Sequence, residues 1–263
     1  MTNEEIHRRL LIVEQMVATI FDAVVTEKCI CPICKESIRL YLPYSEMSKG
    51  IFKKSEICPV CRCLQRHRLL WLYLQHKNAL SANDVKPPRI LHFAPEKSLF
   101  DAFNSLENIE YHNCDIDPSR YYSTTVKADI CGLPYQNEMF DIVICSHVLE
   151  HITDDKKAIS EICRVLKPNG TAYIMIPKLF GYCFGGGAEF DATLEVSASD
   201  AFQRERYFGH DTHLRLYGKD FVDKRLGEFD VQVVKAEQFL TTEQIKYNAL
   251  NLREEIFVCK KSS

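Results

Sequence analysis

Four cysteines of the chain stand in two Cys-Pro-x-Cys turns, Cys31-Pro-Ile-Cys34 and Cys58-Pro-Val-Cys61. Each turn offers two sulfurs at the bite a tetrahedral zinc ion takes, and two such turns fill its four positions. A closed shell of four thiolates leaves no coordination site for water, so the ion expected here is structural. Cys29 and Cys63, each two residues outside a pair, are weaker ligand candidates. Two pairs lying so close together disfavour a redox pair, and scattered free thiols are the remaining alternative.

A second group of reactive residues lies further on. Asp115 closes an apolar run about twenty residues after the turn at Ala94, where dinucleotide folds place a carboxylate for ribose hydroxyls. Asp117 is its competitor. The segment 178–217 carries Gly185-Gly-Gly187 and then Arg204, Arg206, Tyr207, His210, Asp211, His213, Arg215 and Tyr217. It reads as a lid over a polar substrate, against a plain solvated loop. Imidazole titrates near neutrality, so His210 and His213 are candidate general bases; a His-Asp-His metal site is the weaker reading. His147-x-x-Glu150-His151 spells the inverted zinc-protease motif. It stands where a strand passes into a loop, however, and His151 is read as a structural or pocket-wall residue.

The elements that must position these groups follow from periodicity. Residues 1–28 hold an amphipathic helix whose stripe is Ile6, Leu10, Val13, Val17, Ile20 and Val24. The stripe is expected to pack on the body of the protein, with a homodimer seam as the alternative. Residues 29–77 form the zinc-ribbon module and the helix after it, and 78–88, with Pro87-Pro88, a linker. From 89 to 263 short apolar strands alternate with helices, which implies right-handed βαβ units and a doubly wound α/β sheet. Phe140–Ser146 is apolar almost throughout, as in a parallel strand covered on both faces. The last two strands, near 231–236 and 255–260, lack a convincing helix between them, so an antiparallel edge strand is expected.

Composition narrows the class. Lys and Arg number 33 against 36 Asp and Glu, a net charge of −3, so no global basic field draws the chain to nucleic acid. A local patch at Arg62, Arg66, His67 and Arg68 keeps an RNA grip in view. The 12 cysteines lack the spacing of a secreted disulfide framework, charged residues interrupt the N-terminal apolar run, and no apolar span reaches membrane length. A cytoplasmic protein without membrane contact is expected.

Three motifs in order carry a family resemblance: Leu133-Pro-Tyr-Gln-Asn-Glu-Met-Phe-Asp141, His147-Val-Leu-Glu-His151 and Arg164-Val-Leu-Lys-Pro-Asn-Gly170. From Arg89 onward the chain resembles the S-adenosylmethionine-dependent methyltransferases with a seven-stranded Rossmann-like sheet. The resemblance implies S-adenosylmethionine as cofactor and methyl transfer to a small polar acceptor at oxygen or nitrogen. It implies that Asp115 and Ile116 meet the ribose side, that Asp129 and Ile130 meet the adenine, and that Ser146 and His147 lie where cofactor and acceptor meet. The family's glycine-rich first loop is replaced here by His92-Phe-Ala-Pro-Glu-Lys-Ser98. Ala94 would then have to allow close backbone approach, and Glu96 would face the cofactor's ammonium. The alternatives are an RNA methyltransferase gripping RNA through its zinc module and a degenerate, non-catalytic scaffold.

Overall fold

A computed structural model describes residues 3–25, 28–46, 51–81, 86–120, 124–177, 190–208 and 210–262. Helix α1 (Asn3–Val25) is followed by β1 (Cys29–Ile30), β2 (Ser37–Ile38), β3 (Leu42–Glu46), β4 (Ile51–Ile57) and α2 (Gln65–His76). Next come β5 (Arg89–Phe93), α3 (Lys97–Asn104), β6 (Glu110–Asp115), β7 (Val126–Lys127), β8 (Phe140–Ser146), α4 (Asp155–Val165) and β9 (Leu166–Met175). The chain closes with β10 (Leu194–Glu195), α5 (Ala201–Phe208), β11 (Arg215–Leu216), α6 (Phe221–Arg225), β12 (Phe229–Val234), α7 (Thr242–Tyr247) and β13 (Ile256–Lys261).

Two compact units result. The first takes residues 1–79, 96–105 and 236–252; the second takes 80–95, 106–235 and 253–263.

In the first unit β1 pairs with β2 and β3 with β4, both antiparallel. Helix α2 buries Leu69, Leu70, Trp71, Tyr73 and Leu74, and Trp71 meets Phe103 edge-on at 5.3 Å between ring centroids. Its Arg68 is fully buried. The guanidinium donates from Nε to the Asn248 carbonyl (2.8 Å), from Nη1 to those of Glu56 (3.0 Å) and Cys63 (3.3 Å), and from Nη2 to those of Ser55 (3.1 Å) and Ala249 (3.0 Å). The Tyr41 ring lies 3.7 Å from the guanidinium carbon. This corrects the basic patch read from the sequence. Arg68 and His67 are buried, Arg66 is half-buried beside Glu96, and Arg62 alone of the four is exposed. Helix α1 also differs from expectation: Ile6, Leu10, Val13 and Val17 are exposed, so its stripe is not packed away. Of the stripe, the side chains of Ile20 and Val24 lie outside the described residues.

In the second unit seven strands form one sheet in the order β12-β13-β9-β8-β5-β6-β7. Strands β7, β6, β5, β8 and β9 run parallel, and β13 is antiparallel to both β9 and β12. The antiparallel strand therefore lies inside the sheet rather than at its edge, and along the chain the six-residue α7, a part of the first unit, does come between β12 and β13. That helix is short, shows no buried residue and lacks an apolar stripe, which is why periodicity missed it. Every residue of β8 except Asp141 is buried, as two parallel neighbours and covered faces require. Helix α4 starts at the Asp154 cap, whose carboxylate accepts the Lys157 N–H at 3.0 Å, and it buries Ala158, Ile159, Ile162 and Val165.

Candidate functional site

Strand order sets the place. The chain runs outward from β5 through β6 to β7, then returns to the other side of β5 as β8. Such a reversal opens a crevice beyond the carboxyl ends of the strands, where ligands of doubly wound sheets sit. Register levels its lining: Phe93 pairs with Cys114 on one side and Cys145 on the other. One residue further along each strand stand Ala94, Asp115 and Ser146.

Each of these residues carries a mark of a binding edge. Ala94 has φ 48°, the left-handed region that glycine enters without strain, and its N–H is tied to the Cys114 carbonyl at 2.9 Å. The loop thus keeps a glycine-type turn without the glycine. Asp115 accepts the Asp117 N–H through Oδ1 (2.7 Å), while Asp117 accepts the Ser119 N–H (3.2 Å) and hydroxyl within its own turn. Ile116 next to it is 61% exposed, an apolar wall of the kind an adenosine covers. Asp129 accepts the Cys131 N–H through Oδ1 at 2.8 Å, with Ile130 buried behind it. Ser146 is buried, and its hydroxyl has no hydrogen-bond partner among the described residues. An orphaned buried hydroxyl, an uncovered apolar wall and a left-handed turn together fit an adenosyl cofactor. Glu96 belongs to the first unit, where its Oε1 lies 3.0 Å from His67 Nε2 and 3.8 Å from Arg66 Nη2.

The segment after β8 gathers histidines. His147 follows Ser146 with φ 55°, its N–H donating to the Met175 carbonyl at 2.9 Å. Residues 149–151 form a single short 3-10 turn, so the His-x-x-Glu-His letters do not lie on a metalloprotease helix. Glu150 is fully buried, with its Oε1 3.7 Å from His147 Nδ1 and 3.9 Å from His151 Nε2. The insert comes down onto this turn: the Leu214 N–H donates to the Glu150 carbonyl at 2.8 Å. Arg215 clamps it, donating to the carbonyls of Leu149 (3.1 Å), Ile152 and Thr153 (3.0 Å) while pairing with Asp155 at 3.5 Å. His210 and His213 are thereby stacked at 4.7 Å, and the His151 ring meets His213 at 4.8 Å. Burial, and then the neighbouring His151 and His210, push the His213 imidazole down to about 3. The Thr212 hydroxyl bridges His151 Nδ1 (2.9 Å) and His210 Nδ1 (2.8 Å). Both candidate bases therefore lie in one cluster, which also holds Glu150 and His151. Pairwise spacing in the sequence could not join residues 150 and 213. The triglycine and the rest of 178–189 lie outside the described residues.

In the first unit both Cys-Pro-x-Cys turns have one hydrogen-bonding pattern. The Cys31 N–H donates to Glu36 O (3.0 Å) and the Lys35 N–H to Cys31 O (2.9 Å); the Cys58 N–H donates to Cys63 O (2.9 Å) and the Arg62 N–H to Cys58 O (3.0 Å). Lys35 and Arg62 are both left-handed, at φ 62° and 63°. The turns face each other, with Cys31 Sγ 3.8 Å from Cys61 Sγ and Cys34 Sγ 3.9 Å from Cys58 Sγ. Cys63 joins them, 3.6 Å from Cys31, and the sulfurs of Cys31, Cys58, Cys61 and Cys63 all lie within 4.8 Å of one another. A set of convergent sulfurs at these separations suits a zinc ion.

Residues 100–174 match the family described as a methyltransferase domain. That stretch runs from α3 through β6, β7, β8 and α4 into β9. A ubiquinone/menaquinone biosynthesis C-methyltransferase of Francisella tularensis is 38% identical over 50 residues, 19% of this chain and 20% of that protein. An uncharacterised protein of Methanocaldococcus jannaschii is 41% identical over 49 residues, 19% of this chain and 21% of its own. The chain thus matches about a fifth of the length of these relatives. Among solved structures, a putative methyltransferase from Bacillus halodurans aligns over 73% of this chain and 98% of its own, at 18% identity and a TM-score of 0.45. The N1-methyltransferase for 1,6-didemethyltoxoflavin from Burkholderia thailandensis, solved with S-adenosylhomocysteine, aligns over 72% and 77%, at 13% identity and a TM-score of 0.44. Among the described residues no helix is long and apolar enough to cross a membrane.

Proposed function

We propose that this protein transfers a methyl group from S-adenosylmethionine to an oxygen or nitrogen of a small polar acceptor. The observation that carries this reading is the level row Ala94–Asp115–Ser146 at the switch point of the sheet, with the imidazole cluster on the segment that leaves β8. When bound, the cofactor supplies a methyl already activated on a sulfonium, so the chain's task is alignment, exclusion of water and proton removal. Asp115 would hold the ribose hydroxyls, Asp129 the adenine amino group, and Ser146 would donate or accept one further hydrogen bond. His210, exposed at the mouth of the cluster, would take the acceptor's proton on Nδ1, the nitrogen that the Thr212 N–H (3.3 Å) marks as unprotonated, exchanging its contact with Thr212 for the acceptor, with His213 behind it.

The thiolates of Cys31, Cys34, Cys58 and Cys61 would hold a structural zinc. The two turns match residue for residue, and Cys63 occupies the place that Glu36 fills in the first. The burial of Arg68 and His67 leaves the RNA-grip reading with Arg62 alone of its four residues exposed.

Calorimetry with S-adenosylhomocysteine tests the cofactor site. Wild-type protein is expected to bind, and Asp115→Asn to weaken binding by roughly 10- to 100-fold, the loss of one or two charge-assisted hydrogen bonds. A wild type that does not bind, or an unchanged Asp115→Asn, would overturn the assignment.

A further inference from the structure

The triad Glu150, His151 and His213 stands apart from the residues proposed above to hold the adenosyl group, yet the fold goes to some length to assemble it. Two segments that are 62 residues apart by their numbers are pinned by the Leu214–Glu150 backbone bond and the Arg215 clamp. One donor atom from each of the three side chains falls within 4.8 Å of the other two. We propose that these residues bind a first-row divalent transition-metal ion, separate from the thiolate site, whose open positions take the oxygen atoms of the methyl acceptor.

Three features argue for a cation. The ligand types come first: two imidazoles and one carboxylate, with positions left over, is the donor set of catalytic zinc and of other mononuclear metal centres that bind substrate directly.

The second is orientation. His151 Nδ1 lies 3.3 Å from the Thr212 carbonyl, an oxygen that can only accept, as well as 2.9 Å from the Thr212 hydroxyl. The proton of a neutral His151 therefore sits on Nδ1, and the lone pair of Nε2 looks toward Glu150 Oε1, 3.9 Å away. Two electron-rich atoms that face each other in this way can share a proton or a metal ion, and His147 Nδ1 lies 3.7 Å from the same oxygen. A metal-binding histidine whose other nitrogen is fixed by a backbone carbonyl has this arrangement.

The third is burial. Glu150 is wholly inside the protein, where a carboxylate is retained with a proton, a cationic partner or a metal. His213 is half-buried and His151 is exposed at the rim, so one side of the triad faces solvent. The donor separations of up to 4.8 Å are somewhat wider than two ligands on one ion, and small side-chain rotations close the gap.

The acceptor-docking role rests on the methyltransferase reading; the metal site itself does not. An acceptor that presents two oxygens, such as a vicinal diol, a hydroxy acid or a catechol-like ring, would chelate the ion. His210, outside the triad, remains for the proton.

Cobalt(II) titration of the full-length, zinc-replete protein separates the two sites. Cobalt at a thiolate cluster gives intense sulfur-to-metal charge-transfer bands, whereas an imidazole–carboxylate site gives only weak d–d bands. Wild type is expected to bind one equivalent of cobalt with weak visible bands and no charge-transfer band, while retaining its zinc by elemental analysis. His151→Ala, at the exposed rim, and His213→Ala are each expected to weaken that equivalent by about 100-fold or more without loss of zinc. Glu150→Gln is a third variant, useful where its circular dichroism matches wild type. The proposal fails if wild type takes up no non-thiolate metal, or if both histidine variants bind cobalt as wild type does. It also fails if the metal-free protein holds His151 as an imidazolium paired with Glu150 and cobalt does not displace that proton. S-adenosylhomocysteine calorimetry on the same samples shows whether the cofactor site stands or falls independently.

Discussion

Replacing Arg68 should cost the first unit more than any surface cation could. Its guanidinium meets five backbone carbonyls at 2.8 to 3.3 Å, those of Asn248, Glu56, Cys63, Ser55 and Ala249, and lies over the Tyr41 ring at 3.7 Å. Orphaning a buried acceptor costs about 1–3 kcal/mol, so five such losses, two of them at part-buried carbonyls, sum to at most ~5–15 kcal/mol. That range equals the whole stability of an ordinary domain, which tells us the losses cannot simply add. Water entering the vacated space restores part of them. Breaking a buried hydrogen-bond network belongs with the large single-mutation effects, near the upper end of the ordinary range, and we expect about 4 kcal/mol for Arg68→Met. Arg68→Lys keeps the charge but has three donors on one atom instead of a planar fork, so it can serve fewer of the carbonyls. It should lose about 2–3 kcal/mol, close to half. Trp71 is the chain's single tryptophan and belongs to the same helix, so its fluorescence during urea unfolding reports on this unit directly. If Arg68→Lys unfolds with the wild-type midpoint, or Arg68→Met shifts stability by less than about 1 kcal/mol, the guanidinium is not holding these segments and the reasoning fails.

Two further outcomes follow from particular residues. Ala94→Val should lose ~1–2 kcal/mol in urea unfolding, because a β-branched residue is an outlier at φ 48°, whereas Ala94→Gly should be neutral to about 1 kcal/mol stabilising; equal behaviour of the two would contradict the left-handed turn. Cys34→Ser should reduce zinc content measured by elemental analysis, while Cys63→Ser should retain the full equivalent, since Cys63 matches Glu36 in the paired turns; the reverse result would move the fourth ligand to Cys63.

The sequence alone settled what rests on local chemistry. Cys-Pro-x-Cys spacing puts two sulfurs in each tight turn, so the approach of the two turns was legible in the letters, whereas the converging group of Cys31, Cys58, Cys61 and Cys63 takes Cys63 in place of Cys34. The apolar run of Phe140–Ser146, interrupted only at Asp141, and the Asp154 cap with its 3.6-period stripe placed β8 and α4, because burial on both faces and one-sided burial leave different periodicities. Motif order carried the methyltransferase resemblance, and residues 100–174 match a methyltransferase domain. Tertiary structure decided whatever depends on residues distant in the chain. Arg66, His67 and Arg68 look like surface charge when written in a row, but α2 turns Arg68 into a cage of carbonyls contributed by residues 55–63 and 248–249. The place of β13 inside the sheet follows from pairing partners that no local pattern encodes. The juxtaposition of Glu150 with His213 likewise exists because Arg215 and Leu214 fasten the insert to the turn after β8. Local sequence dictates which faces of an element are apolar; which distant groups share a site is set by long-range packing, and that becomes visible only when the chain is folded.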